Sequence, residues 1–143
     1  MINFKTIIRI IGILLLLETV MLLTCSAISY YYNDEALLDF WKSAGITAGA
    51  GLLMAIAGKG GEKQLTRRDG YVLVSLAWVA FSLFGMLPFY ISGYVPDITN
   101  AFFETMSGFT STGATVLDNI ESLPHGLLFW RGMTQWIGGL GII

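Results

Sequence analysis

Apolar residues along this chain fall into long runs that short polar segments separate. The first run covers residues 7–31 and contains one charged residue, Glu18. The second lies within residues 42–59, and the third, within residues 69–97, has no charge between its ends. A helix needs roughly 20 mostly apolar residues to cross a hydrocarbon core that is about 30 Å thick. The pattern therefore predicts three membrane spans.

A fourth apolar run begins near His125, carries Arg131 and continues to the end of the sequence. Its uncharged part, residues 132–143, rises only about 18 Å as a helix, which is less than a bilayer. We therefore expect a truncated helix over residues 125–143 and a chain that is a fragment. The alternative is a natural length of 143 residues, with four copies forming one pore.

The segment between the third and fourth runs is too polar to span a membrane. Its large apolar residues recur at helical spacing, which predicts a short amphipathic helix over residues 97–109 with Asp97 as N-cap. Small and hydroxylated residues follow over residues 110–116. Irregular backbone at membrane depth is tolerated only where it is buried in protein or lines a wet cavity. We therefore expect a re-entrant loop.

The composition supports a membrane protein and excludes several other classes. Only 13% of residues are charged, against about 25% in soluble domains, and 55% are hydrophobic. The net charge of −2, with one Cys and one His, argues against a nucleic-acid binder, a disulfide scaffold and a Cys/His metal cluster. The sequence contains no recognisable catalytic constellation, so we expect neither an enzyme nor a cofactor.

The charges predict the orientation of the chain, because cationic loops stay in the cytoplasm. One side of the predicted spans is cationic, and the other is acidic apart from Lys42. The cations are Lys5, Arg9, Lys59, Lys63, Arg67 and Arg68, and the acids are Asp34, Glu35, Asp39, Asp97, Asp118 and Glu121. We therefore expect a multi-pass protein of the cytoplasmic membrane with its N-terminus inside.

The loop has the residue types of a cation filter. Potassium filters replace the hydration shell of the ion with backbone carbonyls, and glycine permits the backbone angles that aim successive carbonyls the same way. The carbonyls of Thr112 and Gly113 are the predicted K⁺ ligands, with Ser111 and Ala114 flanking them. A Thr-x-Gly segment is weak evidence alone, because it occurs in many loops. The alternative is that Gly113 is an ordinary loop glycine, and the surrounding order of span, short helix, loop and second span favours the filter.

Two longer segments carry a family resemblance. Phe-Phe-Glu-Thr-Met-Ser-Gly-Phe-Thr-Ser-Thr-Gly-Ala-Thr-Val at residues 102–116 and Phe-Trp-Arg-Gly-Met-Thr-Gln-Trp-Ile-Gly-Gly-Leu-Gly at residues 129–141 closely resemble the TrkH/Ktr family of bacterial potassium-uptake proteins. The two spans before the pore unit resemble the TrkH branch. The resemblance implies that Gly113 is the filter glycine, with Ser111, Thr112, Ala114 and Thr115 as its neighbours.

The same resemblance implies an assembly. The family has four helix–loop–helix repeats in one polypeptide around one pore, forms homodimers in the lipid bilayer, and has a cytosolic nucleotide-binding regulatory partner of the TrkA type. This chain is then expected to supply one of four filter walls for potassium uptake. Potassium is therefore the expected transported ion, and no nucleic acid is expected as a partner.

The predicted fold class is all-α integral membrane, with two leading transmembrane helices followed by a helix–re-entrant pore loop–helix unit. The leading pair occupies residues 1–60, a cytoplasmic loop residues 61–70, and the first pore repeat residues 71–143. The repeat divides into an outer helix (71–94), a pore helix (97–109), a filter loop (110–116) and a truncated inner helix (125–143).

Three charged residues lie within the predicted membrane segments, where charges are costly and usually paired. We expect Glu104 and Arg131 to form a brace behind the filter. The alternative is that Arg131 extends to the headgroups while Glu104 lies in the outer vestibule. Glu18 lies outside the pore repeat, so a buried packing contact, protonated or hydrogen-bonded, is favoured over a proton-coupling site.

A different class of function also fits the composition. Gly45, Ala48 and Gly49 form a small-residue face on the second span, and such faces permit close helix packing. The rival hypothesis is a non-transporting membrane scaffold or assembly subunit that packs through this face.

Overall fold

The computed structural model describes residues 2–33, 35, 37–61, 64–115 and 123–142. These residues form six helices and no strand, which confirms the predicted all-α class. The helices are α1 (Phe4–Tyr32), α2 (Leu37–Ala57), α3 (Arg67–Gly85), α4 (Leu87–Ile91), α5 (Ile98–Phe109) and α6 (His125–Ile142). Several residues used above lie outside the described ranges: Asp34, Lys63, Val116, Asp118, Glu121 and Ile143.

Three helical segments in the described part of the chain are long and apolar enough to cross a membrane. They are α1 with 29 residues, α2 with 21, and the 25-residue segment Arg67–Ile91 that combines α3 and α4. Each overlaps one of the three spans predicted from the hydrophobic runs. The 18-residue α6 follows the short helix α5 and its loop.

The outer helix begins earlier than residue 71 and is interrupted before residue 94. At its start, Thr66 and Asp69 form a capping box: the Asp69 amide donates to Thr66 Oγ1 at 3.3 Å, and the Thr66 amide donates to Asp69 Oδ2 at 3.0 Å. At its end, the chain turns at Met86 and continues as α4, which has Pro88 in its first turn. Proline lacks an amide hydrogen, which favours this helix start.

The leading helices α1 and α2 pack through Gly12 and Gly51, and not through the Gly45, Ala48 and Gly49 face of the scaffold hypothesis. A Cβ on Gly12 would lie 2.7 Å from the Gly51 carbonyl oxygen, so the two backbones are in contact there. Cβ atoms on Gly45 and Gly49 would meet no atom within 4 Å. The close approach within the pair therefore uses Gly12 and Gly51, and the face of Gly45 and Gly49 is exposed.

The larger hydrophobic cluster surrounds the end of α5. Phe109, the last residue of α5, is buried, and its ring centroid lies 5.4 Å from that of Phe81 on α3 and 6.4 Å from that of Trp130 on α6. Trp130 also donates a 2.9 Å hydrogen bond from Nε1 to the Gly85 carbonyl at the end of α3. These contacts hold the C-terminus of the short helix between α3 and α6.

Candidate functional site

The short helix α5 leads directly into the candidate loop. Asp97 caps its N-terminus, accepting a 2.9 Å hydrogen bond from the Thr99 amide, as expected for an aspartate at this position. The helix ends at Phe109, with Thr110 as its C-cap. The negative end of the helix dipole, equivalent to about half an elementary charge, therefore lies beside the loop and favours a cation there.

The chain reverses direction immediately after α5. Ser111 adopts the left-handed conformation with φ 57°, its amide donates to the Gly108 carbonyl at 3.0 Å, and the Thr112 amide donates to the Ser107 carbonyl at 3.0 Å. These two bonds define a Schellman motif, which usually has glycine at the left-handed position. Here the hydroxyl of Ser111 donates to the Gln135 carbonyl on α6 at 3.3 Å, which ties the turn to the next helix.

After the turn, the loop runs back along one face of α5. Ser107 Oγ donates a 2.7 Å hydrogen bond to the Ala114 carbonyl, and Thr115 Oγ1 donates to Glu104 Oε1. Glu104 and Ser107 are three residues apart on α5 and therefore lie on the same side of it. Two successive loop residues are thus held by two successive turns of the helix.

Thr112 and Gly113 lie between these two attachments. Gly113 has φ 78°, a conformation that costs a residue with a Cβ about 1–2 kcal/mol. The five predicted filter residues, 111–115, are all exposed. The carbonyls of Thr112 and Gly113 accept no hydrogen bond from any described residue, whereas that of Ala114 is bonded to Ser107. The two carbonyls predicted as the central K⁺ ligands are therefore available to a ligand from outside the described chain.

Glu104 and Arg131 lie side by side behind the loop. Arg131 Nε is 3.6 Å from Glu104 Oε2, and the two side chains are 18% and 1% exposed. This separation is longer than a hydrogen bond but within reach of an ion pair. Since Glu104 also accepts a hydrogen bond from Thr115, one buried carboxylate connects the loop to α6.

Sequence reasoning missed two groups that hold the loop, the Ser107 hydroxyl and the Gln135 carbonyl. The spacing of Ser107 from Glu104 was a usable signal, because it places a buried hydroxyl on the same helix face as a carboxylate. The role of Gln135 has no such signal in the sequence, because the group that accepts the hydrogen bond from Ser111 is its backbone carbonyl. Gly138 on α6 lies against the Phe109 carbonyl so closely that a Cβ there would overlap it.

Replacing Ser107 with alanine is expected to loosen the loop by about 1 kcal/mol, the usual net contribution of one hydrogen bond. We expect a several-fold loss of discrimination between potassium and sodium, measured as relative ion uptake, with normal amounts of protein in the membrane. Ser75→Ala is a matched control, because the Ser75 hydroxyl bonds to the Tyr71 carbonyl on the exposed side of α3. Equal effects of the two substitutions would contradict a specific role for Ser107.

The ligands that this loop offers are oxygens only, from backbone carbonyls and from threonine and serine hydroxyls. Such ligands suit hard cations. Within the described ranges, no group of three His, Cys, Asp or Glu side chains could hold a metal ion. The arrangement therefore favours transient coordination of a cation by backbone over a tightly bound metal.

The apolar helices and the reversing segment together define an all-α integral membrane protein, with two leading helices followed by a helix–re-entrant loop–helix unit. Comparison with known proteins then identifies the particular family. The chain belongs to the TrkH family of cation transport proteins, whose family model matches residues 40–143. The resemblance found in residues 102–116 and 129–141 is thereby confirmed.

Similar proteins match almost the entire chain. The Trk system potassium uptake protein TrkH of Halomonas elongata is 37% identical over 142 residues, which cover 99% of this chain and 30% of that protein. The protein of the same name from Escherichia coli K12 is 37% identical over 143 residues, covering 99% and 29%. The crystal structure of the potassium transporter TrkH from Vibrio parahaemolyticus superposes with a TM-score of 0.91 at 36% identity, covering 99% and 30%. The chain thus spans about 30% of the length of these relatives.

Proposed function

We propose that the protein mediates potassium uptake across the bacterial cytoplasmic membrane, and that this chain supplies one of four walls of the selectivity filter. The carbonyls of Thr112 and Gly113 replace part of the hydration shell of a passing K⁺ ion. The observation that supports this best is the geometry of the loop: its flanks are bonded to α5 and α6, while these two carbonyls accept no bond from the described residues. The substrate is inferred from the potassium uptake proteins that the chain resembles.

In this proposal the other residues of the site act as supports. Ser111 and Thr115 fix the two ends of the filter strand through Gln135 and Glu104, and Ala114 is held by Ser107. Arg131 neutralises the buried carboxylate of Glu104. Without that neutralisation, a fixed negative charge behind the loop would bind a cation too tightly for rapid release. No catalytic step and no cofactor is part of the proposal.

The remaining walls of the pore are proposed to be three further repeats of the same polypeptide. The assembly is proposed to be a homodimer in the lipid bilayer, regulated by a cytosolic nucleotide-binding subunit of the TrkA type. Lys5, Arg9, Lys59, Arg67 and Arg68 support a cytoplasmic N-terminus by the positive-inside rule. Reaction of single cysteines placed at Lys59 and at Glu35 with an impermeant reagent tests this orientation.

The proposed function predicts that the complete gene restores growth of a bacterial strain that lacks its own potassium uptake systems when external potassium is low. Uptake of potassium or rubidium into the same cells should rise, since filters built from carbonyls accept both ions. A scaffold that packs through Gly45, Ala48 and Gly49 would not restore growth. Absence of rescue, with the protein present in the membrane together with its regulatory subunit, would refute potassium uptake.

A further inference from the structure

Glu18 lies at the middle of α1, which extends from Phe4 to Tyr32, and its side chain is 0% exposed. Neither carboxylate oxygen has a hydrogen-bond partner among the described residues. At 1.5 Å per residue, about 20 Å of helix lies on each side of it. The carboxyl group is therefore deep in the predicted membrane and enclosed by protein, not by lipid or water.

The carboxyl group faces the pore repeat. A Cβ on Gly85 would lie 2.8 Å from Glu18 Oε1, 2.8 Å from the Thr105 methyl carbon and 3.0 Å from the Phe109 ring. Gly85 ends α3 and accepts the hydrogen bond from Trp130 of α6, while Thr105 and Phe109 belong to the short helix α5. The absence of a side chain at Gly85 thus leaves room for the Glu18 carboxyl at the point where α1, α3 and α5 meet.

No charged group on the surrounding helices balances this carboxyl. On α1 the titratable residues are Lys5, Arg9, Cys25 and Tyr30 to Tyr32; on α2, Asp39 and Lys42; on α3, Arg67, Arg68, Asp69 and Tyr71; on α5, Glu104; and on α6, His125 and Arg131. Most of them lie near the helix ends. Glu104 on α5 and Arg131 on α6 form an ion pair with each other.

An ionised carboxylate without a partner in an apolar interior is energetically costly, whereas the neutral acid is far less so. We propose that Glu18 is a positioning residue that works as a neutral carboxylic acid, filling the junction of α1, α3 and α5 and setting the position of the pore helix. Ionisation places an unbalanced charge against Thr105 and Phe109, displaces the end of α5 and weakens ion passage. This inference rests on the proposed function for its transport readout.

The proposal predicts an alkaline decline in transport that originates at Glu18. In vesicles containing the protein from its complete gene, wild-type potassium uptake should fall as pH rises, approaching about tenfold per pH unit above the ionisation of Glu18. Glu18→Gln, which keeps the shape but cannot ionise, should transport as the wild type does at neutral pH and should lack this decline. Glu35→Gln is a matched control, because Glu35 is exposed in the loop between α1 and α2, and it should keep the wild-type profile.

Two results would overturn the proposal. One is a Glu18→Gln protein that keeps the wild-type pH profile. The other is a Glu18→Gln protein that fails to transport while Glu18→Asp transports, because the charged form would then be the working one. Infrared difference spectroscopy of purified wild-type and Glu18→Gln protein gives a readout that does not depend on transport. The carbonyl band of a protonated acid should be lost in the variant, and its absence from the wild type would also overturn the proposal.

The infrared measurement separates this inference from the proposed function. If the wild-type protein takes up no potassium but shows the protonated-acid band that Glu18→Gln removes, potassium uptake is refuted and the neutral state of Glu18 stands.

Discussion

Substitution of Gly113 by serine is expected to lower the preference for potassium over sodium by about tenfold, the factor that corresponds to roughly 1.4 kcal/mol. Gly113 has φ 78°, and a side chain in this conformation costs about 1–2 kcal/mol. Since a Cβ there would meet no atom within 4 Å, the strain is relieved by rotation of the backbone and not by movement of neighbours. Rotation is expected to turn the Thr112 and Gly113 carbonyls away from the proposed pore.

The measurement is the ratio of potassium to sodium uptake in cells that depend on this protein. Gly93→Ser is a close control, because Gly93 has φ 79° and equally open space around its Cβ position, but lies in the loop between α4 and α5. It carries the same backbone strain without touching the filter, so its ion preference should stay unchanged. If both variants shift the ratio equally, the effect comes from general destabilisation and Gly113 has no special role in selection.

The sequence was most informative where local pattern determines structure. Long apolar runs predict the spans, because burial of backbone polar groups in lipid leaves few alternatives to helix. Asp97 and the periodic apolar residues after it predict α5, because helix capping and helical periodicity are also local sequence patterns. The capping box of Thr66 and Asp69 was also readable, since it needs only a threonine and an acid three residues apart. With this capping box, α3 begins at Arg67 and not at residue 71, where the outer helix was predicted to begin.

Contacts between residues that are far apart in the sequence were harder to predict. The small-residue face of Gly45 and Gly49 looks as suitable for packing as Gly51, yet it is Gly51 that lies against Gly12 of α1. Gln135 contributes to the loop through its carbonyl, which every residue type has. The Schellman reversal at Ser111 is hidden for a related reason, because serine is an unusual residue at a left-handed position.

The pair of Glu104 and Arg131 could be proposed from the energetic cost of burying charges in a membrane, since two opposite charges at that depth are usually paired. Their separation depends on how α5 and α6 pack, which the spacing in sequence does not determine. The contact of Thr115 with Glu104 was not foreseen at all. It joins the ion pair to the proposed filter strand, so the two features that the sequence suggested separately share one carboxylate.

Reversal of the charge at Arg131 is expected to have the second large effect. Removing one partner of a buried ion pair costs about 3–5 kcal/mol, and the 18% exposure of Arg131 favours the lower end of that range. Arg131→Glu places a second carboxylate beside Glu104, so we expect little folded protein in the membrane and loss of potassium uptake. Lys42→Glu, a reversal at an exposed residue of α2, is the control and should be tolerated.

The double reversal, Glu104→Arg with Arg131→Glu, tests whether the two side chains act on each other directly. It restores opposite charges at the two positions, and the amount of folded protein, measured by size-exclusion chromatography in detergent, should exceed that of either single variant. Uptake should recover only in part, because an arginine at position 104 cannot accept the hydrogen bond from Thr115. Thr115→Val removes that bond and keeps the ion pair, so it should fold normally and reproduce the remaining defect in uptake. If the double reversal is no better than the single ones, Glu104 and Arg131 are stabilised by other neighbours, and the connection from α6 to the filter strand does not pass through their contact.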